Sequence, residues 1–309
     1  MGTPDFSLPS LQRLANDDRI NIKGVVTQPD RKRGRGQKVR HSPVKKMALS
    51  LNLDIFQPES VNKTSFIKKL KNIDPEFIVV VAFGQILSKD ILALPEHGCI
   101  NLHASLLPGY RGAAPIHRAI INGDKNTGIT TMYMEEKLDT GDIIYQKEIP
   151  ITHTETAGTL HDKLAETGAE LLCKTLIDVK NGTAPRQKQD DSQATYADKI
   201  NKKTGKIDWS NSTEDIYNLI RGVTPWPGAY TFINGERLKI WEAEIVRNKG
   251  LENKVPGEII KANEKEGLII STKNGKLKIN KLQLSGRKKM TSGEFLRGYD
   301  INSGEVLGN

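Results

Sequence analysis

The sequence predicts an α/β protein with a parallel-rich sheet, followed by a small antiparallel β-barrel. In the first half of the chain, apolar β-branched runs alternate with amphipathic helical segments. After Lys202 the pattern changes to short alternating strands separated by turn residues, which is typical of a small barrel. The chain has 309 residues, of which 37% are hydrophobic, and this suffices for two packed domains.

The elements of the first half follow one another as strands and helices. The predicted helices are SLPSLQRLA, SPVKKMALSLN, TSFIKKLKN, APIHRAIING and the long GTLHDKLAETGAELLCKTLIDVKNG. The predicted strands are IKGVVT, FIVVVAF, GCINLH, GITTMYM and DIIYQKEI. Because near-continuous apolar strands that alternate with helices are covered on both faces, we expect a mainly parallel sheet.

The second half is predicted to be all β. Its alternating segments include AYTFI, LKIWEAEIV, GEIIKA, GLIISTK and KLKINKLQL, and turn residues lie between them. Gly182 and the polar stretch that follows it predict a connection between two domains. We therefore predict a first domain at 1–182, a linker at 183–201 and a second domain at 202–309.

Composition and charge restrict the classes of function. Cys99 and Cys173 are the two cysteines and do not form a CxxC pattern, so we expect neither a disulfide framework nor a thiolate zinc site. No apolar run is long enough for a membrane span. We expect a monomer in the reducing cytoplasm. The net charge is +9, and eight basic residues lie among the sixteen at 31–46. A second basic cluster at 273–289 favours a polyanionic partner, although each cluster alone is compatible with a solvated surface.

The stretch NLHASLLPGYRGAAPI contains a candidate site. Asn101 and His103 lie at the carboxyl end of the predicted strand GCINLH, and open parallel sheets bind ligands at this end of their strands. Asp139, in the segment LDTGD, follows the strand GITTMYM and could approach the same crevice. An amide, an imidazole and a carboxylate at one crevice fit a reaction that passes through a tetrahedral oxyanion. Taken singly, Asn101 and His103 are better explained as buried polar residues that satisfy neighbouring groups, and LDTGD could be an ordinary turn.

Together these segments resemble the folate-dependent formyltransferase family, whose catalytic residues are Asn, His and Asp. The family spacing is present, because Asn101 and His103 are two apart and Asp139 follows His103 by 36 positions. MGTPDF, TQPDRKRGRGQKVRHSPVK, IDWS, TPWPGAY and SGRKKMTSGEFLRG extend the resemblance over essentially the whole chain and are similar to the tRNA-specific members.

The resemblance implies a Rossmann-like formyltransferase domain and an OB-like β-barrel that binds tRNA. The implied reaction moves the formyl group of 10-formyltetrahydrofolate to the α-amine of initiator methionyl-tRNA, without a metal. His103 and Asn101 would stabilise the anionic oxygen, and Asp139 would keep His103 protonated and assist proton removal. Members of this family usually begin with an apolar segment that forms the central strand of the sheet, and Met1 stands where that strand should end. We therefore expect the first strand to be truncated, and a misassigned start codon is the explanation we favour.

Binding residues follow from the same resemblance. The implied folate loop consists of Ser105, Leu106, Leu107 and Pro108, and AFGQIL adds Phe83, Gly84 and Ile86 to the wall of the pterin pocket. The implied tRNA contacts are Arg31, Lys32, Arg33, Arg35, Lys38, Arg287, Lys288 and Lys289. The alternatives are a glycinamide ribonucleotide formyltransferase, a sugar-nucleotide formyltransferase and a nucleic-acid-binding module without activity.

Overall fold

The structure is a computed structural model that describes residues 1–33, 38–247 and 254–308. Two compact units are present. The first comprises Met1–Pro115, Thr127–Pro150 and His161–Ala197, and the second comprises Ile116–Asn126, Ile151–Leu160 and Asp198–Asn309. The first unit therefore extends through most of the predicted linker at 183–201, and two short segments from the first half of the chain belong to the second unit.

The helices and strands follow the predicted order, with additional short strands. The helices are α1 (Leu8–Ala15), α2 (Pro43–Ser50), α3 (Thr64–Ile73), α4 (Lys89–Leu92), α5 (Pro115–Ile121), α6 (Ala157–Lys180), α7 (Thr213–Gly222) and α8 (Ser292–Leu296). The strands are β1 (Val25–Val26), β2 (Arg31–Arg33), β3 (Lys38–Arg40), β4 (Ile55–Phe56), β5 (Ile78–Val80), β6 (Cys99–His103), β7 (Arg111–Gly112), β8 (Asn126–Tyr133), β9 (Ile143–Pro150), β10 (Tyr196–Ala197), β11 (Ala229–Ile233), β12 (Glu236–Val246), β13 (Ile259–Asn263), β14 (Gly267–Ser271), β15 (Lys276–Leu284) and β16 (Met290–Thr291).

The main sheet of the first unit has the strand order β5-β6-β8-β9. β5 and β6 are parallel, with Val80 opposite Asn101, whereas β6 and β8 are antiparallel, with His103 opposite Thr130. The α/β class is confirmed, but the sheet is mixed. Apolar runs indicate burial on both faces of a strand and do not specify the direction of its neighbour, so the sequence could not reveal this.

A cavity of about 1030 Å³ lies beside β1 and β5 and is lined by Val26, Phe56 and Ile78 among others. At one end of this cavity, Met1 and Gly2 lie between the two strands. The Gly2 amide donates a hydrogen bond to the Val26 carbonyl, and the Val81 amide donates to the Met1 carbonyl. Met1 and Gly2 thus lie between β1 and the end of β5 and are held there by backbone hydrogen bonds.

The second unit is built on the predicted antiparallel sheet. Its strand order is β11-β12-β15-β14-β13, and β16 pairs with β15. Alternate residues of each strand point inward, as a period of two requires. The fully buried residues of this core include Ile216, Ile220, Leu238, Ile240, Leu268, Ile270, Leu277, Ile279 and Leu282. Burial of each such side chain contributes about 1.5 to 3 kcal/mol.

α7 covers this core and begins at a defined cap. The Ser212 side chain accepts a hydrogen bond from the Asp215 amide, and Glu214 and Asp215 place acidic charge in the first turn. Both features stabilise a helix start. Across the described ranges of both units, no helix combines the length and apolar character that crossing a membrane requires.

Candidate active site

Asn101, His103 and Asp139 all lie in the first unit and are all nearly buried. Asn101 and His103 are two residues apart on β6, so their side chains leave the same face of the strand. His103 Nδ1 is 3.7 Å from Asp139 Oδ2, and both side chains are at most 10% exposed. The structure therefore brings the imidazole and the carboxylate together across 36 residues of sequence, at the carboxyl end of β6.

The loop that carries Asp139 is held in an unusual backbone conformation. Asp139 has a φ of 56°, and its Oδ2 accepts a hydrogen bond of 2.8 Å from the Gly112 amide. Gly141 passes so close to β8 that a Cβ at this position would lie 1.8 Å from the Tyr133 carbonyl oxygen. The glycine of LDTGD is thus required for a close approach, and the loop is more than an ordinary turn.

The second ring nitrogen of His103 is also engaged. Nε2 lies 3.0 Å from the Tyr110 carbonyl oxygen, which can only accept a hydrogen bond. Nε2 must therefore carry a proton for this contact to be favourable. Nδ1 faces the Asp139 carboxylate at 3.7 Å, and with Nε2 already protonated it can donate a hydrogen bond only when the ring is an imidazolium.

The loop at 105–108 is held by hydrogen bonds to its surroundings. Ser105 Oγ donates to the Gly109 carbonyl, the Leu107 amide donates to Thr130 Oγ1, and Gln146 Nε2 donates to the Leu107 carbonyl. Ser105 and Leu107 are buried, so their roles here are in shaping the loop. Leu106 and Pro108 are partly exposed and are the members of this loop that can face a ligand.

The segment at 83–86 divides in a similar way. Phe83 is 2% exposed and packs in the core of the first unit, and its carbonyl oxygen accepts a hydrogen bond from Thr3 Oγ1. Gly84 is exposed with a φ of 85°, and Ile86 is 72% exposed. An exposed Ile suits an apolar ligand wall, whereas the Phe83 side chain supports the segment from below.

The described residues on either side of 34–37 in the basic loop form a pair of short strands, called here the basic hairpin. β2 and β3 pair antiparallel, with Arg31 opposite Arg40, Lys32 opposite Val39 and Arg33 opposite Lys38. Arg35 lies outside the described residues. In the second unit, Arg287, Lys288 and Lys289 are all exposed between β15 and β16.

Asp30 anchors the base of this hairpin. Its carboxylate accepts hydrogen bonds from Lys45 Nζ at 2.6 Å and from Gln57 Nε2 at 3.0 Å, and His41 Nδ1 lies at 2.8 Å. The hydrogen bond from Lys45, followed by that from Gln57, lowers the pKa of Asp30 to about 2. The carboxylate thus stays ionised and holds the two ends of the basic hairpin together.

Two residues that the sequence did not indicate complete the site. Arg111 is 2% exposed, and its Nε and one terminal nitrogen donate to Gln189 Oε1 at 3.1 and 2.8 Å. Gln189 Nε2 in turn donates to the carbonyl oxygens of Asp139 and Gly141 at 2.9 and 2.7 Å. Gln189 belongs to the predicted linker, and no local pattern marks it, since its partners are about 50 to 80 residues away.

The same segment is tied to the first unit by backbone pairing. β10 lies parallel to β7, with Tyr196 opposite Arg111 and Ala197 opposite Gly112. Gln187 exchanges backbone hydrogen bonds with Ile143. In the ranges that the structure describes, no group of three or more His, Cys, Asp or Glu side chains is placed to hold a metal ion.

Comparison with known proteins connects this geometry to a family. Residues 2–176 match the family model described as formyl transferase, and residues 199–300 match that of the formyl transferase C-terminal domain. A methionyl-tRNA formyltransferase of Halothermothrix orenii is 57% identical, with 100% of this chain and 98% of that protein covered. One of Caldanaerobacter subterraneus subsp. tengcongensis is 51% identical, with 99% and 98% covered.

Solved structures agree with this fold. WlaRD, a sugar 3N-formyl transferase, superposes with a TM-score of 0.64 at 23% identity, over 93% of this chain and 97% of that one. An N-formyltransferase from Helicobacter canadensis superposes with a TM-score of 0.63 at 21% identity, over 94% and 97%. With both family models matched and close relatives that align along its whole length, the chain belongs to the formyl transferase family.

Proposed function

We propose that the chain transfers the formyl group of 10-formyltetrahydrofolate to the α-amine of initiator methionyl-tRNA, giving N-formylmethionyl-tRNA for translation initiation. The observation that carries this proposal is the buried pair of His103 and Asp139, 3.7 Å apart, with Asn101 on the same strand face as His103. An imidazole, a carboxylate and an amide can stabilise an oxyanion and transfer a proton, which fits a reaction in which the substrate amine itself attacks.

The proposed reaction begins with attack of the uncharged α-amine on the formyl carbon. The carbonyl π electrons move to oxygen, and the resulting oxyanion accepts hydrogen bonds from His103 Nδ1 and the Asn101 amide. Asp139 stabilises the charged imidazole and assists removal of one proton from the attacking nitrogen. The bond between the formyl carbon and the folate nitrogen then breaks, that nitrogen takes a proton, and a formamide remains on methionine.

The proposed folate site lies against the loop at 105–108 and the segment at 83–86. Leu106, Pro108, Gly84 and Ile86 would contact the donor, because they are the members of these segments with exposed surface. Ser105, Leu107 and Phe83 would act by holding the loop and the segment in place. Preformed apolar walls of this kind bind flat heterocycles without a large ordering cost.

The tRNA is supported as the acceptor by charge and by the relatives that are named methionyl-tRNA formyltransferases. Two basic segments, the β2–β3 hairpin and the residues 287–289, suit contacts to phosphates. The proposed contacts of the first segment are Arg31, Lys32, Arg33, Arg35 and Lys38. An acceptor that is a small aminosugar or ribonucleotide would not require either segment.

The test is formyl transfer from 10-formyltetrahydrofolate to three acceptors: methionyl initiator tRNA, methionyl elongator tRNA and a dTDP-linked aminosugar. We expect the initiator tRNA to be formylated much faster than the elongator tRNA, and the aminosugar not to react. Equal use of the two tRNAs would refute initiator specificity. Transfer to the aminosugar in place of tRNA would assign the chain to the sugar-modifying branch.

We further propose that the chain acts as a monomer in the cytoplasm, where charged tRNA is used. A monomer would have a sedimentation mass near the 34.3 kDa of one chain. Analytical ultracentrifugation with and without tRNA measures this directly, and a mass of twice that value in the absence of tRNA would contradict it.

A further inference from the structure

The outer side of the antiparallel sheet in the second unit combines aromatic rings with cations. Leu238 and Ile240 of β12 point into the core, so Arg237, Lys239 and Trp241 between and beside them point outward. Cross-strand pairing places Tyr230 opposite Lys239 on one side and Gln283 opposite Lys239 on the other. We call Tyr230, Arg237, Lys239, Trp241, Gln283 and Lys289 the aromatic–cationic face.

Rings and cations are in contact on this face. The Arg237 guanidinium lies 3.5 Å from the centre of the Tyr230 ring, and Lys289 Nζ lies 4.2 Å from that of Trp241. Trp241 Nε1 donates a hydrogen bond of 3.2 Å to Gln283 Oε1, which holds the indole in one orientation. The indole is therefore held in place and carries the exposed Lys289 on its face.

The cations of this face are not neutralised, unlike those of the adjacent surface. Lys278 and Lys281 on β15 form ion pairs with Glu244 and Glu242. Within the described ranges, Arg237, Lys239 and Lys289 form no ion pair with a carboxylate. Burial, and then the proximity of Arg237 and Lys202, lower the pKa of Lys239. Such concentrated positive charge attracts an anion.

A nucleotide carries both an aromatic base that can stack on the indole and a phosphate that can pair with the lysines. Its base presents a flat π surface for stacking on an indole, and its phosphate neutralises nearby lysines. An acidic peptide would neutralise the lysines but would leave the fixed indole without a stacking partner. A double helix would keep its bases stacked on one another and present mainly phosphates.

We infer that the Trp241 indole stacks on an unpaired nucleobase of the RNA substrate, while Lys239 and Lys289 contact the adjoining phosphates. Lys289 leaves the ring as the base takes its place, which its exposed position permits. This inference rests on the proposed function, since it takes the tRNA to be the acceptor. It adds recognition of a single-stranded nucleotide to the phosphate contacts proposed for residues 287–289.

The test compares W241A, W241F, K289A and the matched control K281A in the full-length enzyme. We expect W241A to raise the KM for methionyl initiator tRNA by about 5- to 100-fold, with kcat and the KM for folate within about threefold. W241F retains a ring and should recover most of the affinity. K289A should reduce the slope of log affinity against log salt by about one, whereas K281A should not.

The outcomes separate this inference from the proposed function. If the wild-type enzyme formylates charged tRNA and both Trp241 variants keep its KM, the stacking is refuted and the function stands. If the wild type formylates no tRNA, the function fails. Quenching of Trp241 fluorescence by oligoribonucleotides in a W226F background, where buried Trp209 is the other emitter, then decides the stacking alone.

A second and independent inference concerns the segment at 187–197. Gln189 is 6% exposed, and its amide bridges buried Arg111 to two carbonyl oxygens of the Asp139 loop. That loop contains a residue with positive φ, a conformation that needs support from its surroundings. We propose that Gln189 is a positioning residue that keeps the Asp139 carboxylate beside His103.

Substitution by Leu removes the bridge while nearly preserving side-chain volume. We expect Q189L to lower kcat by about 10- to 100-fold, with the KM of both substrates within about threefold and an altered pH dependence of kcat. Q193L is the matched control, since Gln193 is exposed four residues along the same segment. Q189E, which retains the acceptor for Arg111 and loses the donor, should behave like Q189L.

The inference on Gln189 takes Asp139 to be the group that acts on His103. A Q189L variant with a lowered melting temperature but an unchanged kcat and pH profile would show a purely structural role and overturn it. If replacement of Asp139 itself leaves turnover unchanged, the proposed mechanism is wrong, and the inference on Gln189 is then wrong as well.

Discussion

Replacement of Asp139 by Asn removes the charge beside His103 while retaining an oxygen that can accept the Gly112 amide. The carboxylate and the imidazole are 3.7 Å apart and nearly buried. Two unit charges at this separation attract by on the order of 4 kcal/mol at an effective dielectric constant of about 20. Because each 1.36 kcal/mol changes a rate tenfold, we expect kcat to fall by about 10²- to 10³-fold.

The assay is single-turnover formyl transfer to methionyl initiator tRNA at saturating folate, with the melting temperature measured alongside. D142N is the control, because Asp142 lies in the same loop and accepts a hydrogen bond of 2.6 Å from Arg186 at a more exposed position. We expect D142N to retain at least half of the rate. A D139N enzyme within tenfold of wild type would show that the charge on Asp139 does not stabilise the transition state.

Two other predictions follow from the packing. G141A should destabilise the first unit by at least about 2 kcal/mol and lower the formyl-transfer rate, because its Cβ would lie 1.8 Å from the Tyr133 carbonyl oxygen. Thermal unfolding measures the loss of stability, and the transfer assay measures the loss of activity. Burial raises the pKa of Cys99 to about 12 and also raises the pKa of Cys173. Thiol labelling at pH 8 should therefore be far slower in the folded protein than in denaturant, and stability should fall as the pH rises from about 9 toward 12, because only the unfolded thiols ionise there.

The sequence alone was sufficient for the order of elements and for the change from α/β to antiparallel β near residue 202. Hydrophobic periodicity reports which faces of a segment are buried, and this signal is local. The spacing of Asn101, His103 and Asp139 identified the candidate trio only because it resembles a known family pattern. Without that pattern, nothing in the sequence says that these three side chains lie close together.

Only the tertiary structure decided how those residues are supported. The direction of β8 against β6, the burial of Ser105 and Leu107, and the contact between Lys289 and Trp241 depend on residues distant in sequence. Gln189 is the clearest case, since its polar neighbours in the sequence are typical of a linker, whereas its bonds to Arg111, Asp139 and Gly141 make it part of the site. Hydrogen bonds between such distant groups leave no periodic signal in the chain, because they are specified by the packing of whole elements.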